Sequence, residues 1–383
     1  MSAGQENHMQ CIEVGKVMSD AMDGLSIQDA PKMKPEDFSI LKVLGKGGYG
    51  KVYQARKVTG RDKGTLFAMK AIKKNTIRDD EKFVEHTMAE RHILENVNSP
   101  FLCELHYAFQ TVDKLYLIME YISGGDLFAR LERVTKFSES AARFYLAEVL
   151  LAIQHLHSNG VIYRDLKPDN IMLDQSGHVK LTDFGLCKAN LGHDELTDTF
   201  CGTIEYMAPE VLEKRQYGRA ADYWALGILL YDMLSGCSPF YTSNRKKTMI
   251  LIKKAEFPMI KNISPEAKSL LRKLIHRNEK TRLGASGMKS HSFFGKTNWL
   301  KMEAREVEPP FRPCHIHEED VSNFDSAFTN MAPEESPCKP ECFVQDDDLF
   351  AGFDYVRQED ETFKAPLMKK CARNLQASIS KNN

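Results

Sequence analysis

From residue 40 to residue 57, two runs of β-favouring residues flank a cluster of glycines. A third run, 66–72, follows the breaks at Thr59-Gly60 and Lys63-Gly64. Such runs punctuated by glycine predict strands joined by tight turns. The period then changes. Phe83, Val84, Met88, Ile93, Leu94 and Val97 sit among charged, helix-favouring residues after an acidic start, which predicts one amphipathic helix over 80–97. Strands are expected again around 101–110 and 114–121. After Ser123-Gly124-Gly125 the pattern becomes helical, with helices predicted over 139–158, 222–234, 245–254 and 265–277. A strand-rich part thus precedes a helix-rich one, an α+β chain in two lobes. Residues 1–37 hold no Phe, Tyr or Trp and are expected to form a flexible arm. Beyond Phe294 the chain is irregular, rich in Pro and acid, with isolated aromatics that each need a pocket elsewhere; it reads as a tail wrapped over the domain.

The glycine cluster is Gly45-Lys46-Gly47-Gly48-Tyr49-Gly50, with Val52 two residues on. Glycines let the backbone bend tightly and bring N–H groups against phosphate oxygens. A dinucleotide-binding turn would need a helix next, whereas Lys51-Val52-Tyr53-Gln54 has strand character, so a hairpin is the better reading. Taken alone, a glycine-rich surface turn would look the same. Phe67-Ala68-Met69-Lys70 ends on a lysine, and Glu90 falls within the predicted helix 80–97. A lysine on a sheet facing a nucleotide can hold its α- and β-phosphates while a carboxylate from a neighbouring helix fixes its rotamer. Either residue by itself would ordinarily be solvated surface. Tyr163-Arg164-Asp165-Leu166-Lys167-Pro168-Asp169-Asn170, followed by Asp183-Phe184-Gly185, is far more specific. It supplies Asp165 for a substrate hydroxyl, Lys167 for a migrating phosphoryl charge, and Asn170 with Asp183 for Mg2+. That set suits a reaction that needs positioning and charge neutralisation more than covalent chemistry. Ala208-Pro209-Glu210 completes it, with Arg282 a candidate buried partner for Glu210.

Tyr163-Arg164-Asp165, together with Phe200-Cys201-Gly202-Thr203-Ile204-Glu205-Tyr206-Met207-Ala208-Pro209-Glu210, resembles AGC-group serine/threonine protein kinases. Within that group the chain is similar to the p70-type ribosomal protein S6 kinases from Phe38 to Val356. The likeness runs through Val43-Leu44-Gly45 to Val52-Tyr53, Gly177-His178-Val179 to Leu186-Cys187-Lys188, and Val307-Glu308-Pro309-Pro310-Phe311. The resemblance implies a bilobal protein kinase fold: a β-rich N-lobe over 38–122, a larger helical C-lobe over 123–294, an AGC C-terminal tail over 295–365, and a flexible end over 366–383. It also implies ATP and Mg2+ as cofactors. Glu120 and Ile122 would bond adenine through the backbone, Met119 would be the gatekeeper, and Val52, Ala68 and Met172 would sandwich the ring. Asp126 matches the ribose-contacting position. Asp126, Asp169, Glu205 and Asp232 match acidic positions that receive arginines upstream of the target residue, so basic protein substrates of the Arg-x-Arg-x-x-Ser/Thr kind are expected, ribosomal protein S6 among them.

The same resemblance supplies the regulatory expectations. Thr199 matches the activation-loop phosphosite, served by an upstream kinase, and its phosphate would pair with Arg164, Lys188 and His86. Leu349-Phe350-Ala351-Gly352-Phe353-Asp354-Tyr355 resembles the hydrophobic motif, whose Phe350 and Phe353 would dock beside the Glu90 helix. Related S6 kinases carry a phosphorylatable Thr where this chain has Asp354, so a standing negative charge is expected there. Ser336-Pro337 resembles the turn-motif site. The arm holds no Phe before Phe38, a departure from the Phe-led docking motif of such kinases.

Composition narrows the alternatives. With 52 Lys+Arg against 53 Asp+Glu the net charge is −1, so no global field draws the chain to nucleic acid or anionic lipid, and recognition by charge must be local. Nine cysteines without a framework of repeated spacings favour a reducing compartment, cytoplasmic with a nuclear share. No window is apolar enough to span a bilayer and Ser follows Met1, so no membrane anchor is expected, and a monomer is. Cys314, His315, His317, Cys338 and Cys342 are zinc-ligand types, but their spacing fits no compact paired-ligand pattern. The rival class is a catalytically silent scaffold on the same fold; intact Lys70, Asp165, Asn170 and Asp183 argue against it.

Overall fold

The computed structural model describes residues 33–47, 50–78, 80–189, 192, 195–335 and 349–358. The upper lobe is an antiparallel sheet of β1 (Phe38–Lys46), β2 (Gly50–Lys57), β3 (Leu66–Lys73), β4 (Leu105–Gln110), β5 (Lys114–Glu120) and β8 (Tyr355–Val356), ordered β1-β2-β3-β5-β4-β8. Register sorts its two faces. Val52 pairs with Lys70, Lys70 with Leu117 and Ala68 with Met119, so these five side chains share the face toward the lower lobe. On the opposite face Tyr53, Phe67, Met69, Tyr107, Phe109, Tyr116 and Ile118 form a core of their own with Phe38 and Val43. The buried Lys57 closes that core, its Nζ 5.0 Å from the ring centroids of both Phe38 and Tyr107. Order begins earlier than the expected start at Phe38: Pro35–Asp37 is a single 3-10 turn, and the Asp37 carboxylate accepts from Thr59.

Helix α1 (Glu81–Asn96) follows β3, with Asp80 accepting from the Lys82 N–H as its N-cap. The lower lobe holds α2 (Leu127–Val134), α3 (Glu139–Ser158), the small sheet β6 (Ile171–Leu173) and β7 (Val179–Leu181), then α4 (Ala220–Ser235), α5 (Arg245–Lys254) and α6 (Pro265–Leu274). Helix α4 is apolar nearly all round, with Trp224, Leu226, Ile228, Leu229, Leu230 and Met233 buried, as befits a central helix. It stops at Gly236, whose φ of 81° is the left-handed conformation a helix end favours. Below it, Arg282 meets Glu210 through two bonds of 2.6 and 2.9 Å, both side chains buried.

Three sequence expectations shift. The strand expected over 101–110 begins only at Leu105; Phe101 and Cys103 instead exchange main-chain hydrogen bonds with Leu181 of β7, tying the lobes together. The helix expected over 265–277 ends at Leu274, because the Lys273 and His276 carbonyls accept from Leu283 N–H and Arg282 Nε. Helix α2 was not anticipated. The tail does wrap the domain: a turn at Ser326–Thr329 brings Phe328 and Met331 against the outer core of the upper lobe, and β8 lies beside β4. Among the described residues no helix is long and apolar enough to cross a membrane.

Candidate active site

Alternation along β3 points Lys70 into the space between the lobes, and α1 lowers Glu90 to meet it at 2.7 and 2.9 Å. Asp183 Oδ1 lies 3.4 Å from the same ammonium. Burial works against the charged Lys70, but the Glu90 and Asp183 carboxylates outweigh it and raise its pKa. Asp183 is correspondingly held below the ordinary carboxylate value by Lys70. Burial raises Glu90, with Lys70 opposing. The carboxylate of Asp183 and the side-chain oxygen of Asn170 are hard donors of the kind Mg2+ takes. The Asn170 amide nitrogen is committed to Asp165, at 2.9 Å to its carbonyl and 3.0 Å to its carboxylate.

The loop bearing Asp165 is anchored from below. Asp222 on α4 accepts the N–H groups of Tyr163 (3.0 Å) and Arg164 (2.9 Å), and its Oδ2 lies 2.7 Å from His157 Nε2. Arg164 and Asp183 both adopt positive φ, 70° and 56°, conformations disfavoured for such residues that this bracing sustains. The Asp165 carboxylate receives Lys167 Nζ at 2.8 Å, and both the N–H (3.1 Å) and hydroxyl (3.0 Å) of Thr203. Lys167 also donates to the Thr203 hydroxyl at 3.2 Å. Thr203 was quoted in the sequence only as part of a motif; its role emerges from the fold.

Val52 and Ala68 lie on the roof beside Lys70, while Met172 lies on β6 of the floor, bridged to Asp126. The Glu120 carboxylate bonds Lys180 (2.8 Å) and the Glu104 N–H (2.9 Å), and the Glu120 N–H donates to the Glu104 carbonyl at 3.0 Å. Next to Lys46, the Gly47 N–H donates to the Gly50 carbonyl at 2.9 Å. A Cβ at Gly50 would lie 1.9 Å from the Ala71 oxygen, so that glycine is required by the approach of β3; at Gly45 and Gly47 a Cβ would meet nothing. Gly48, Tyr49 and Ser336 lie outside the described residues.

An acidic cluster flanks the cleft. Asp126, the N-cap of α2, is raised by burial and by Asp169, against the Ala129 N–H that stabilises its charge. Asp232 is raised by burial and Asp169, with the Tyr206 hydroxyl donating to it at 2.5 Å. Tyr206 also feels the Glu205 charge. None of these four acids makes an ion pair with a basic side chain among the described residues. A cationic group there would find ready partners.

Near the activation segment two buried nitrogens, His86 Nδ1 on α1 and Arg164 Nη1, have no hydrogen-bond partner among the described residues. Burial, then Arg164 and Lys188, lower the His86 pKa, so the three basic groups converge. The Tyr217 hydroxyl donates to the Thr199 carbonyl at 2.7 Å, and Arg164 lies close enough to oppose the burial that raises its pKa. On the far side of α1, Phe350 and Phe353 are fully buried and Asp354 is exposed. Of the zinc-ligand types, His315 Nε2 is engaged with the Ser123 hydroxyl at 3.3 Å, and among the described residues no three His, Cys, Asp or Glu converge on a metal-sized space.

Residues 38–294, which build this two-lobed cleft, match the model of the protein kinase domain, and residues 316–355 of the tail match that of the protein kinase C terminal domain. The chain belongs to the protein kinase family, and its tail is that of the AGC group. It is 53% identical to ribosomal protein S6 kinase beta of Caenorhabditis elegans over 330 residues, 85% of this chain and 60% of that protein. Against ribosomal protein S6 kinase alpha-3 it is 46% identical in Mus musculus, over 92% of this chain and 48% of that protein. The Homo sapiens alpha-3 protein is 48% identical over 85% of this chain and 44% of its own length. The chain thus spans 44% to 60% of the length of these relatives.

Proposed function

We propose that this protein transfers the γ-phosphoryl group of ATP to Ser or Thr hydroxyls in basic protein segments of the Arg-x-Arg-x-x-Ser/Thr kind. The observation that carries the reading is the assembled centre: Lys70 bonded to Glu90 and 3.4 Å from Asp183, facing Asp165, Lys167, Asn170 and Thr203. Lys70, its rotamer fixed by Glu90, orients the α- and β-phosphates beneath the glycine turn. Asp183 and Asn170 would hold Mg2+, which when bound neutralises charge on the phosphate oxygens. Asp165 accepts the hydrogen bond of the incoming hydroxyl and orients it, while Lys167 meets the charge on the moving phosphoryl group. Asp126, Asp169, Glu205 and Asp232 take the guanidinium groups of upstream arginines.

The relatives' names make ribosomal protein S6 the first substrate to try. An upstream kinase acting on Thr199 would place phosphate against His86, Arg164 and Lys188; the unpartnered His86 Nδ1 and Arg164 Nη1 support that role. Asp354 supplies a standing negative charge at the docked motif, and Ser336 is a second phosphosite. The buried free thiols of Cys103 and Cys187 support a cytoplasmic and nuclear protein, which we take to act as a monomer.

The test is phosphate transfer from Mg2+-ATP to an Arg-x-Arg-x-x-Ser peptide after matched phosphorylation of Thr199, comparing wild type with Asp183→Asn. Transfer by wild type and its loss in the variant is the expected result. A folded, Thr199-phosphorylated wild type that transfers nothing to this peptide or to S6 would point to a silent scaffold. Transfer only to peptides without upstream arginine would keep the chemistry and overturn the substrate class.

A further inference from the structure

Helix α5 has a sharply divided surface. Thr248 and Ile252 are buried on its inner side, where the helix packs against Ile204–Tyr206 and Pro209–Leu212. Turned away from them, Lys246, Lys247, Lys253 and Lys254 flank Ile250, all five within about a third of the helix circumference. Ile250 is 55% exposed although it is large and apolar. Lys246, Lys247 and Lys254 are exposed and Lys253 is half-buried, and among the described residues none of the four makes an ion pair or a side-chain hydrogen bond. The helix contains no acid. Helix formation does not account for this charge. Lysines in the last turn suit the helix dipole, but Arg245, Lys246 and Lys247 crowd the end where that dipole favours anions. Only Asn244 caps it, accepting from the Lys246 and Lys247 N–H groups.

We propose that the outer face of α5 is a docking surface for an acidic segment that protein substrates carry outside the phosphorylated sequence, with a bulky apolar residue at its centre. The proposal rests on the kinase reading above and adds a second recognition element to it. Four lysines without partners call for carboxylates, and Ile250 among them for an apolar side chain. Its place makes the occupant a substrate. The inner side of α5 lies on Ile204–Tyr206, and Glu205 in that turn belongs to the acidic cluster proposed to take upstream arginines. A chain held at that cluster passes close to α5. The same neighbourhood disfavours a wide polyanion. A nucleic acid or an anionic lipid surface laid on α5 would bring its phosphates toward Glu205 and toward Asp232, which is bonded to Tyr206, in a chain whose net charge is −1. A short acidic segment can meet the lysines of one helix face and leave those carboxylates to the arginines.

The full chain, phosphorylated on Thr199, is assayed on an Arg-x-Arg-x-x-Ser peptide alone and on the same peptide joined through about twenty Gly/Ser residues to a Glu/Asp-rich segment with a central Leu, attached on either side. Tethering raises the local concentration of a weak second contact. The better of the two tailed peptides should therefore have a KM about ten-fold below that of the plain peptide, with kcat unchanged. High salt should shrink the advantage. The double variant Lys246→Glu/Lys247→Glu should abolish it while leaving kcat and KM for the plain peptide as in wild type. Because glutamate suits a helix N-terminus, this variant should melt no lower than wild type. Ile250→Ser should cut the advantage about three-fold. Equal KM for plain and tailed peptides in wild type would overturn the proposal, as would an advantage that survives either variant. So would binding of wild type to phosphatidylserine vesicles or single-stranded RNA that the double variant loses, with no effect of the acidic tail, which would assign the face to another class of anion. A wild type that transfers phosphate to none of the peptides would instead strike the kinase reading itself.

Discussion

Thr203 reaches Asp165 from 38 residues downstream and does three things at once, donating its N–H and hydroxyl to the carboxylate and accepting from Lys167. Thr203→Val keeps the N–H and the shape but removes the hydroxyl, so Asp165 loses one of its donors and Lys167 its second acceptor. Steady-state assays should show kcat reduced about ten-fold with the KM for ATP little changed, and Thr203→Ser close to wild type. The acidic cluster makes a pH prediction. Burial and the neighbouring Asp169 charge raise Asp126 and Asp232 above the ordinary carboxylate value of 3.8, so on acidification they lose charge earlier than ordinary carboxylates do. The KM for a peptide with two upstream arginines should therefore rise as pH falls toward that raised range. A peptide without arginines should show less of the rise, and Asp126→Asn should flatten it. Individual residues of this kind were partly legible. Asp165, Lys167, Asn170 and Asp183 stand in short motifs whose spacing carries the chemistry. Nothing local to Thr203 announces that its hydroxyl braces the carboxylate, because that bond depends on how the activation segment folds back.

Helix α1 carries three polar directions on one short rod: His86 toward the activation segment, Glu90 toward the cleft and Arg91 toward the tail. Its apolar stripe was readable, and its bounds fell within a residue of expectation. The three polar faces could be separated only by knowing what packs on each. His86 is held below 6.5 by burial and by Arg164, so as pH falls below 6.5 the unfolded chain takes up the proton first and stability declines. Phosphate on Thr199 should reverse the shift. An NMR titration of His86 is expected to give a pKa below 6.5 without the phosphate and above it with the phosphate. The strand expected at 101–104 failed for a related reason: an apolar run signals burial but not the partner, and here that partner is β7 of the other lobe. Lower in the molecule, Arg282 and Glu210 are both buried. Arg282→Ala strands the Glu210 carboxylate without a partner and should cost about 3–5 kcal/mol, read as a lower denaturation midpoint.

At the scale of the whole molecule, the tail is a third structural layer. Its Glu318 and Glu319 hold Arg56 on β2, its Asp320 carbonyl accepts from the Tyr121 hydroxyl, and Phe324 stacks on Tyr121 with ring centroids 6.0 Å apart. The tail's wrapping was foreseeable from aromatics with no local pocket, but its path was not, since contacts such as Arg91 with Phe353 span 262 residues. Phe353→Ala empties a fully buried site and should cost about 3–5 kcal/mol of docking, seen as faster hydrogen exchange at 355–357 while the lower lobe keeps its protection. A sheet that ended at β4 would offer a bare row of N–H and C=O groups along 106–108, and such an edge is a template on which another molecule's strand can pair. Residues 355–357 seal it. Whenever they lift away, the kinase exposes an adhesive border, so an Arg357→Pro protein, which lacks the N–H that donates to the His106 carbonyl, should scatter more light with rising concentration than the wild type. The strand that ends the tail thus also keeps neighbouring molecules apart.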